Sequence, residues 1–376
     1  MRNARNFFFL LLVIIFFGNL FFRVSSYQRE YTTHFNAEYW KDRYYASQWV
    51  VSNSKNPIGD DGLYAYVGWE YIHGANPTLL NAEIPPLGKY IIGAGEVIFG
   101  NQNILILIIG VLCLPVFYLV NVRLFKDKLI AFIPVVIFSL DPIFYTQLRA
   151  PYLDTIYLFF LLLTILFTLH KKYFFAAFFL GCFTSVKFPA ASIFLVAPMM
   201  LWVAIWDRKN MKRFLASLIL WPTTFILFYF QFFLLGGTPY AFLGVQKWII
   251  SFYSMGAKAS YGIVYPMILF NSWSTWFSGV QKVSEWTLIW PVSFIGSVFS
   301  AIPLLRIVYV HVFLHKKKEV VSEDYTMTLT LFWVLSYMVF LTVTPVFPRY
   351  LLLLLPFMYN LTVWFLVKYV FRQSSQ

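Results

Sequence analysis

The residues with the clearest chemical potential are two groups of charged side chains in the first third of the chain. Asp60 and Asp61 are adjacent, and Glu83 stands before a Pro-Pro-Leu-Gly stretch that ends at Lys89. A positioned carboxylate can take a proton from an attacking hydroxyl, and a lysine can hold a phosphate group as a point charge. Asp60, Asp61 and Glu83 are therefore the candidate catalytic acids, and Lys89 is a candidate phosphate ligand.

A structural interpretation of the two aspartates remains open. Asp60 and Asp61 precede a helical stretch, 62–72, where an Asp side chain often accepts amide hydrogen bonds as the N-cap. Because neighbouring residues diverge by about 100° around a helix, one carboxylate could cap the helix while the other faces a cavity.

Further charged residues stand where apolar segments break. Asp154 re-enters an apolar stretch, and Arg149, five residues earlier, is its expected partner. Lys187 and Arg349 each lie near a proline at a predicted helix end. We expect Lys89, Arg149, Lys187 and Arg349 on one side of the membrane, where they would bind a donor phosphate. A structural salt bridge for Asp154 and snorkelling of the basic side chains to the interface are the alternatives.

The elements that carry these residues are predicted to be membrane helices. Hydrophobic residues make up 60% of the chain and charged residues 12%, with a mean hydropathy of +0.68. That composition leaves too little polar surface for a soluble domain and predicts an all-α polytopic membrane protein, a single domain over 1–376. About ten spans are expected, near 7–22, 104–122, 129–145, 153–169, 173–187, 189–206, 214–235, 287–310, 326–343 and 350–370. The first is read as a retained helix, although a cleaved signal remains the alternative.

The distribution of basic residues predicts the orientation. Lys and Arg gather at alternate connections, which the positive-inside rule places in the cytoplasm together with both termini. Two long connections, 23–103 and 236–287, then lie outside, and the candidate acids lie in the first. The net charge of +13 thus reflects membrane orientation and contact with the lipid bilayer, and it does not indicate nucleic-acid binding.

Aromatic residues dominate both long connections. In 23–103 they alternate with charges, a pattern typical of interfacial helices, and Tyr64 is a candidate for positioning a substrate. In 236–287, Trp273 and Trp276 are candidates for the same role, although an interfacial aromatic belt would explain them as well. Neither the two cysteines nor the five histidines show metal-ligand spacing, so neither a metal site nor a cofactor is expected.

The order of these motifs resembles that of the GT-C membrane glycosyltransferases, with the dolichyl-phosphate-mannose protein mannosyltransferases as the most similar family. The resemblance extends over nearly the whole chain, although each motif alone is weak. The matching segments are Asp60-Asp61, the Pro-Pro-Leu-Gly-Lys stretch ending at Lys89, Leu140-Asp141-Pro142, Arg149 to Asp154, Val186-Lys187-Phe188 and Asn271 to Trp276.

This resemblance implies a function and a division of roles. It implies an inverting transferase that moves a sugar, mannose-like in that family, from a polyprenyl-phosphate donor to a hydroxyl acceptor outside the cytoplasm, in a cell membrane or the endoplasmic reticulum. Asp60 would be the base, with Asp61 and Glu83 beside it. Lys89, Arg149, Lys187 and Arg349 would bind the phosphate, while Asp154, Tyr64, Trp273 and Trp276 would position the substrates.

The sequence departs from the mannosyltransferase pattern at three points. Asp61 replaces a glutamate, Glu83-Ile84 stands in place of a histidine, and no carbohydrate-reading domain interrupts 236–287. Glu83 before the prolines is instead similar to the lipid A aminoarabinose transferases. The acceptor therefore stays open between protein, glycan and lipid. A transporter is the alternative from another class, but it would place its charges near the bilayer midplane between repeated halves.

Overall fold

The computed structural model describes residues 2–256, 261–275, 279–314 and 322–371. Helices dominate these residues, and the one sheet among them is a two-stranded hairpin, β1 (Trp273–Thr275) with β2 (Gly279–Gln281). The chain is thus an all-α, polytopic membrane protein, as its composition predicts. The hairpin in the second long connection was not expected.

The N-terminal third contains one long apolar helix and four shorter helices that follow it. The long helix is α1 (Arg2–Ser26), and the shorter ones are α2 (Gln28–Thr32), α3 (Ala37–Tyr45), α4 (Asp60–Ile72) and α5 (Leu87–Phe99). Asn36 caps α3 by accepting the Tyr39 amide at 2.9 Å, and Gly100 ends α5 in the left-handed conformation at φ 63°, which glycine adopts without strain. The first long connection is therefore a folded helical unit.

The central part consists of helices joined by short turns. They are α6 (Ile104–Phe125), α7 (Lys128–Leu140), α8 (Pro142–Thr146), α9 (Leu153–Leu169), α10 (Tyr173–Thr184), α11 (Pro189–Trp206), α12 (Met211–Ser217), α13 (Leu220–Leu227) and α14 (Phe230–Leu234), with a 3₁₀ turn at Arg208–Asn210. The segment 214–235, predicted as one span, is thus divided among three short helices. Pro222 lies in α13 and lacks the amide hydrogen that a continuous helix needs.

The C-terminal part carries the remaining long helices. They are α15 (Pro239–Gly256), α16 (Val264–Phe270), α17 (Ile289–Phe313), α18 (Ser322–Val343) and α19 (Leu355–Phe365); a 3₁₀ turn at Pro348–Leu353 precedes α19, and a π-helical turn at Leu366–Phe371 follows it.

Five helices in the described ranges are long and apolar enough to cross a membrane. They comprise the 5–26 part of α1, α6, α11, α17 and the 324–343 part of α18, and the shorter apolar helices are α7, α9, α10 and the 355–371 stretch. The chain is therefore an integral, multi-pass membrane protein.

Glycines set the position of the first candidate acids. A Cβ atom at Gly93 would overlap the Gly68 backbone, so α4 and α5 cross with their backbones in contact. A Cβ at Gly88 would lie 2.6 Å from a Leu153 methyl group, which places the start of α5 against the start of α9. Helix α5 is thereby packed against the middle of α4 and against the start of α9.

Candidate active site

The centre of the site is a buried ion pair between Asp154 and Lys187. Asp154 lies in the first turn of α9, and Lys187 lies in the turn between α10 and α11. The Lys187 ammonium donates to both carboxylate oxygens, at 2.7 and 2.8 Å, and each side chain is only 1% exposed. Because an unpaired charge is costly inside a protein, each residue requires the other.

Arg349 extends this pair into a cluster of four charges. Arg349 lies in the 3₁₀ turn between α18 and α19. Its Nε lies 3.4 Å from the Asp154 carboxylate, and its Nη2 donates to the Asp60 carboxylate. Asp60, Asp154, Lys187 and Arg349, which we call the charge cluster, therefore join four separate parts of the chain.

Exposure increases from one end of the charge cluster to the other. The Arg349 side chain is 16% exposed and the Asp60 side chain 37%, whereas the other two are closed to solvent. Asp60 is thus the member of the cluster that an incoming molecule can reach most easily. It also lies at the start of α4, whose amide groups stabilise a negative charge.

The partner of Asp154 differs from the sequence-based expectation. Arg149 was expected to pair with Asp154, and that prediction is wrong. Pro151 and the extended Tyr152 separate the two residues before α9 begins. The exposed guanidinium of Arg149 instead lies 5.6 Å from the ring centroid of Tyr27.

A cavity of about 330 Å³ adjoins the charge cluster. Arg149 and Arg349 both line it, together with Tyr152, Trp273 and the chain around Lys282. Trp273 is held there because its indole N–H donates to the Val346 carbonyl at 2.8 Å. The charged side chains that line it are Arg149, Lys282, Arg349 and one acid, Glu285, and this balance favours an anionic ligand.

Aromatic rings enclose the cations of the cluster. The Lys187 ammonium lies 4.5 Å from the Tyr350 ring centroid, and the Arg349 guanidinium lies 5.3 Å from Tyr152. Tyr64 is 1% exposed, and burial, followed by the nearby Asp60 carboxylate, raises the pKa of its hydroxyl well above the usual value. These rings exclude water, which strengthens electrostatic interactions inside the site.

Burial also changes the ionisation of Lys187. Loss of solvent lowers the pKa of this ammonium to about 8, while the Asp154 carboxylate opposes that change. The positive charge next to Asp154 therefore depends on pH near neutrality, unlike that of an arginine.

Glu83 and Lys89 form a second polar group beside the charge cluster. The Lys89 ammonium donates to the carbonyls of Asn81 and Ile84, both at 2.7 Å, and its side chain is fully buried. The Asn81 side-chain amide donates to the Glu83 carboxylate. Tyr253 joins this group from α15 by donating its hydroxyl to the Glu83 carbonyl at 3.2 Å.

The pKa values of Glu83 and Lys89 shift in opposite directions. Burial lowers the pKa of Lys89 to about 7, opposed by Glu83, and burial raises the pKa of Glu83, opposed by Lys89. The bonds of the Lys89 ammonium are to the protein's own carbonyl groups. They fix the loop that carries Glu83 to the first turn of α5.

The other candidate residues divide into one that borders the site and one that cannot be placed. Asp61 adjoins Tyr152. Burial raises the pKa of the Tyr152 hydroxyl, and the negative charge of Asp61 raises it further. Asp61 makes neither a hydrogen bond nor an ion pair with the residues that the structure describes. Trp276 lies outside the described residues.

Comparison with known proteins identifies the fold. No protein-family model matches the chain, and a search of curated proteins also found no match. Two crystal structures of ArnT from Cupriavidus metallidurans are similar to this chain. The apo structure has 13% sequence identity and a TM-score of 0.52, and the structure bound to undecaprenyl phosphate has 14% identity and a TM-score of 0.53. The fold is of the GT-C type. In each comparison the match covers 85% of this chain and 57% of ArnT, so the chain spans little more than half the length of the neighbour.

Within this GT-C fold, sequence reasoning missed the tyrosines and one buried acid. Tyr152, Tyr253 and Tyr350 adjoin the charges, but nothing distinguishes them among 25 tyrosines except that Tyr152 and Tyr350 flank charged motifs. Asp141 belongs to the Leu140-Asp141-Pro142 segment of the resemblance, but no functional role was expected for it from the sequence. It caps α8 through the Ile143 amide, and it also accepts hydrogen bonds from Trp290 and Tyr359.

Proposed function

We propose that this protein is an inverting glycosyltransferase that moves a sugar from a polyprenyl-phosphate donor to a hydroxyl acceptor. The observation that carries the proposal is the position of Arg349, which contacts Asp60 and Asp154 and also lines the cavity. An acid that can take a proton and a cation that can hold a phosphate thus meet at one opening. The GT-C fold supports the proposal, as does the undecaprenyl phosphate bound to one of the ArnT structures.

Asp60 is the proposed general base. The acceptor hydroxyl would give its proton to the Asp60 carboxylate while its oxygen bonds to the anomeric carbon. The bond from that carbon to the phosphate oxygen breaks at the same time, and polyprenyl phosphate leaves with the electron pair. A single displacement inverts the anomeric carbon, and the chemistry needs a base positioned close to the acceptor.

Arg349, Lys187 and Arg149 are the proposed phosphate ligands. Negative charge grows on the leaving phosphate, and cations already positioned in a water-poor site stabilise it without reorganisation. Arg349 pairs with Asp60, and a bound phosphate would compete for the same guanidinium. Asp154 would keep Arg349 and Lys187 in place during that exchange.

The remaining candidates receive supporting roles in this proposal. Asp61 and Glu83 would orient the acceptor or the sugar hydroxyls, and Tyr64 and Trp273 would bound the sugar, as Trp276 would if it reaches the site. Lys89 was expected to bind phosphate. Its two short bonds to backbone carbonyls support a role in fixing the Glu83 loop instead.

The kind of sugar and the kind of acceptor are inferred from the sequence resemblance and from the likeness to ArnT. The sequence resemblance supports a mannose-like hexose and an acceptor such as a protein serine or threonine. The likeness to ArnT, a lipid A aminoarabinose transferase, favours a lipid or glycan acceptor reached by the same chemistry. We place the reaction on the extracytoplasmic side, because the basic connections at the other end of the helices follow the positive-inside rule.

Asp60→Asn in the full-length protein tests the proposed chemistry. Reconstituted protein is supplied with a polyprenyl-phosphate hexose and a mixture of hydroxyl acceptors, and both glycosylated product and released polyprenyl phosphate are measured. Loss of a general base predicts a fall of about 10²- to 10⁴-fold in kcat. Asp42→Asn is the control, since Asp42 is exposed on α3 outside the site. Turnover by correctly folded Asp60→Asn at the parental rate would refute the assignment, and movement of the intact donor across the bilayer without product would indicate a transporter.

A further inference from the structure

A second cavity lies at the opposite end of α18 from the charge cluster. It has a volume of about 520 Å³ and is bounded by α17, the start of α18 and the π-helical turn after α19. Arg349 lies in the 3₁₀ turn that comes after Val343, the last residue of α18, whereas Asp324 stands near the first residue of that helix. At 1.5 Å per residue, the 22 residues of α18 put about 33 Å between its ends. The two sites therefore open at opposite faces of the membrane. We call this cavity the distal groove.

The charged residues that line the distal groove are Arg306, Asp324 and Lys368. The Lys368 ammonium is neutralised by the buried Asp324 carboxylate, with contacts of 2.6 and 2.7 Å. Arg306 is exposed on α17 and lines the same groove. It forms neither a hydrogen bond nor an ion pair with the described residues, and Tyr369 lines the groove beside it. Among the lining residues that the structure describes, Arg306 is therefore the cation that no carboxylate neutralises.

The walls of the distal groove are apolar and reach the lipid-facing surface. The rings of Phe299 and Phe365 stack across it, with centroids 5.8 Å apart. Phe299 is 51% exposed and Ile302 66%, so the groove continues sideways onto the surface that faces hydrocarbon.

Backbone irregularities form the groove on both sides. Pro303 lies inside α17 and removes one hydrogen bond of that helix. On the other side, the chain ends α19 in a π-helical turn, a form that is rare and often found at functional sites. Pro303 and the π-helical turn both line the groove beside Arg306.

We propose that the distal groove binds an anionic glycerophospholipid. Arg306 would hold the phosphate, with a guanidinium geometry that suits two phosphate oxygens, while an acyl chain would lie along Phe299, Ile302 and Phe365. The distribution of basic residues predicts that this face is cytoplasmic, and anionic lipids bind basic pockets between helices on that side. A free phosphate would not use the apolar walls, which is why the lipid is the occupant that fits.

Lipid retention by the purified full-length protein tests this site. Protein stripped of lipid is incubated with phosphatidylglycerol or phosphatidylcholine, and bound lipid is counted by native mass spectrometry. We expect one phosphatidylglycerol to be retained in preference to phosphatidylcholine. Arg306→Gln should weaken that retention about five- to tenfold, since a basic residue at the membrane surface contributes roughly that factor. Arg208→Gln is the matched control, because Arg208 is also exposed and basic and is not a lining residue of the groove.

A second variant should raise lipid retention, and its result does not depend on whether Arg306→Gln folds. Asp324→Asn frees the Lys368 ammonium and should strengthen phosphatidylglycerol retention by a similar factor. The proposal is overturned by equal retention of both lipids, by equal losses in Arg306→Gln and Arg208→Gln, or by no gain in Asp324→Asn. It is also overturned if inorganic phosphate displaces the lipid at an affinity that depends on Arg306, because the occupant would then be a soluble anion.

Discussion

Replacing either partner of the Asp154–Lys187 ion pair is expected to destabilise the fold. The loss in unfolding free energy should differ between the two single variants. Both side chains are 1% exposed, and removal of one partner from a buried pair costs about 3–5 kcal/mol. Lys187→Met leaves Asp154 with Arg349 at 3.4 Å, so its cost should lie near the lower value. Asp154→Asn leaves two cations without that carboxylate, so its cost should lie near the upper value.

The double variant separates the ion pair from other effects of substitution. When both charges are removed, no unpaired ion remains between them, and the loss should be at least about 2 kcal/mol smaller than the sum of the single losses. Reversible unfolding in mixed detergent micelles, followed by tryptophan fluorescence, measures all three. The control is Arg5→Met, which breaks an ion pair to Asp127 whose side chains are 57% and 30% exposed, and for which a loss below about 1 kcal/mol is expected.

Two results would refute this reasoning. Equal losses in Lys187→Met and Asp154→Asn would show that Arg349 does not compensate Asp154. Additive losses in the double variant would show that the two charges do not stabilise each other.

Three further predictions concern pH, a fixed loop and a helix crossing. If Lys187 must be charged, turnover should fall as the pH rises through about 8, because the protonated ammonium exists below that pH. Lys187→Arg should move this fall to higher pH. A pH profile that the substitution leaves unchanged would contradict the role of Lys187. Lys89→Met should lower the free energy of unfolding by at least about 1.5 kcal/mol, the contribution of a hydrogen bond from a charged group. The protein that still folds should keep the parental KM for the polyprenyl-phosphate sugar. A selective rise in that KM would show that Lys89 binds the phosphate. Gly93→Ala should cost about 1–3 kcal/mol in unfolding free energy because the new methyl group meets Gly68, whereas Gly244→Ala, with open space around it, should cost nothing.

The sequence was most informative about which residues carry charge in an apolar environment. Asp60, Asp154, Lys187 and Arg349 were singled out because a charge in a membrane protein is costly, and the structure brings all four together. Their pairing was not predictable in the same way. Proximity in sequence favoured Arg149 as the partner of Asp154, but no periodicity reveals a contact with Lys187, 33 residues later, or with Arg349 in a turn near the other end of the chain.

Local irregularity was the other limit on prediction. The apolar stretch 214–235 has the length and hydropathy of one span, yet it forms three short helices. Composition reports how much apolar surface a segment carries, and it contains little information about where a helix is interrupted. The hairpin at 273–281 depends on pairing between two three-residue strands, which is too short to leave an alternating pattern.

The contact between Arg349 and Asp60 spans 289 residues of sequence, and this has a consequence for biosynthesis. At about 5–20 residues per second, the ribosome needs roughly 15–60 s after Asp60 emerges before it has made Arg349, 289 residues later. During that interval the nascent chain already holds Asp154 and Lys187 but has no guanidinium for its first acid. The charge cluster is therefore completed only when the last two helices insert, and until then Asp60 must find another partner or remain in contact with water.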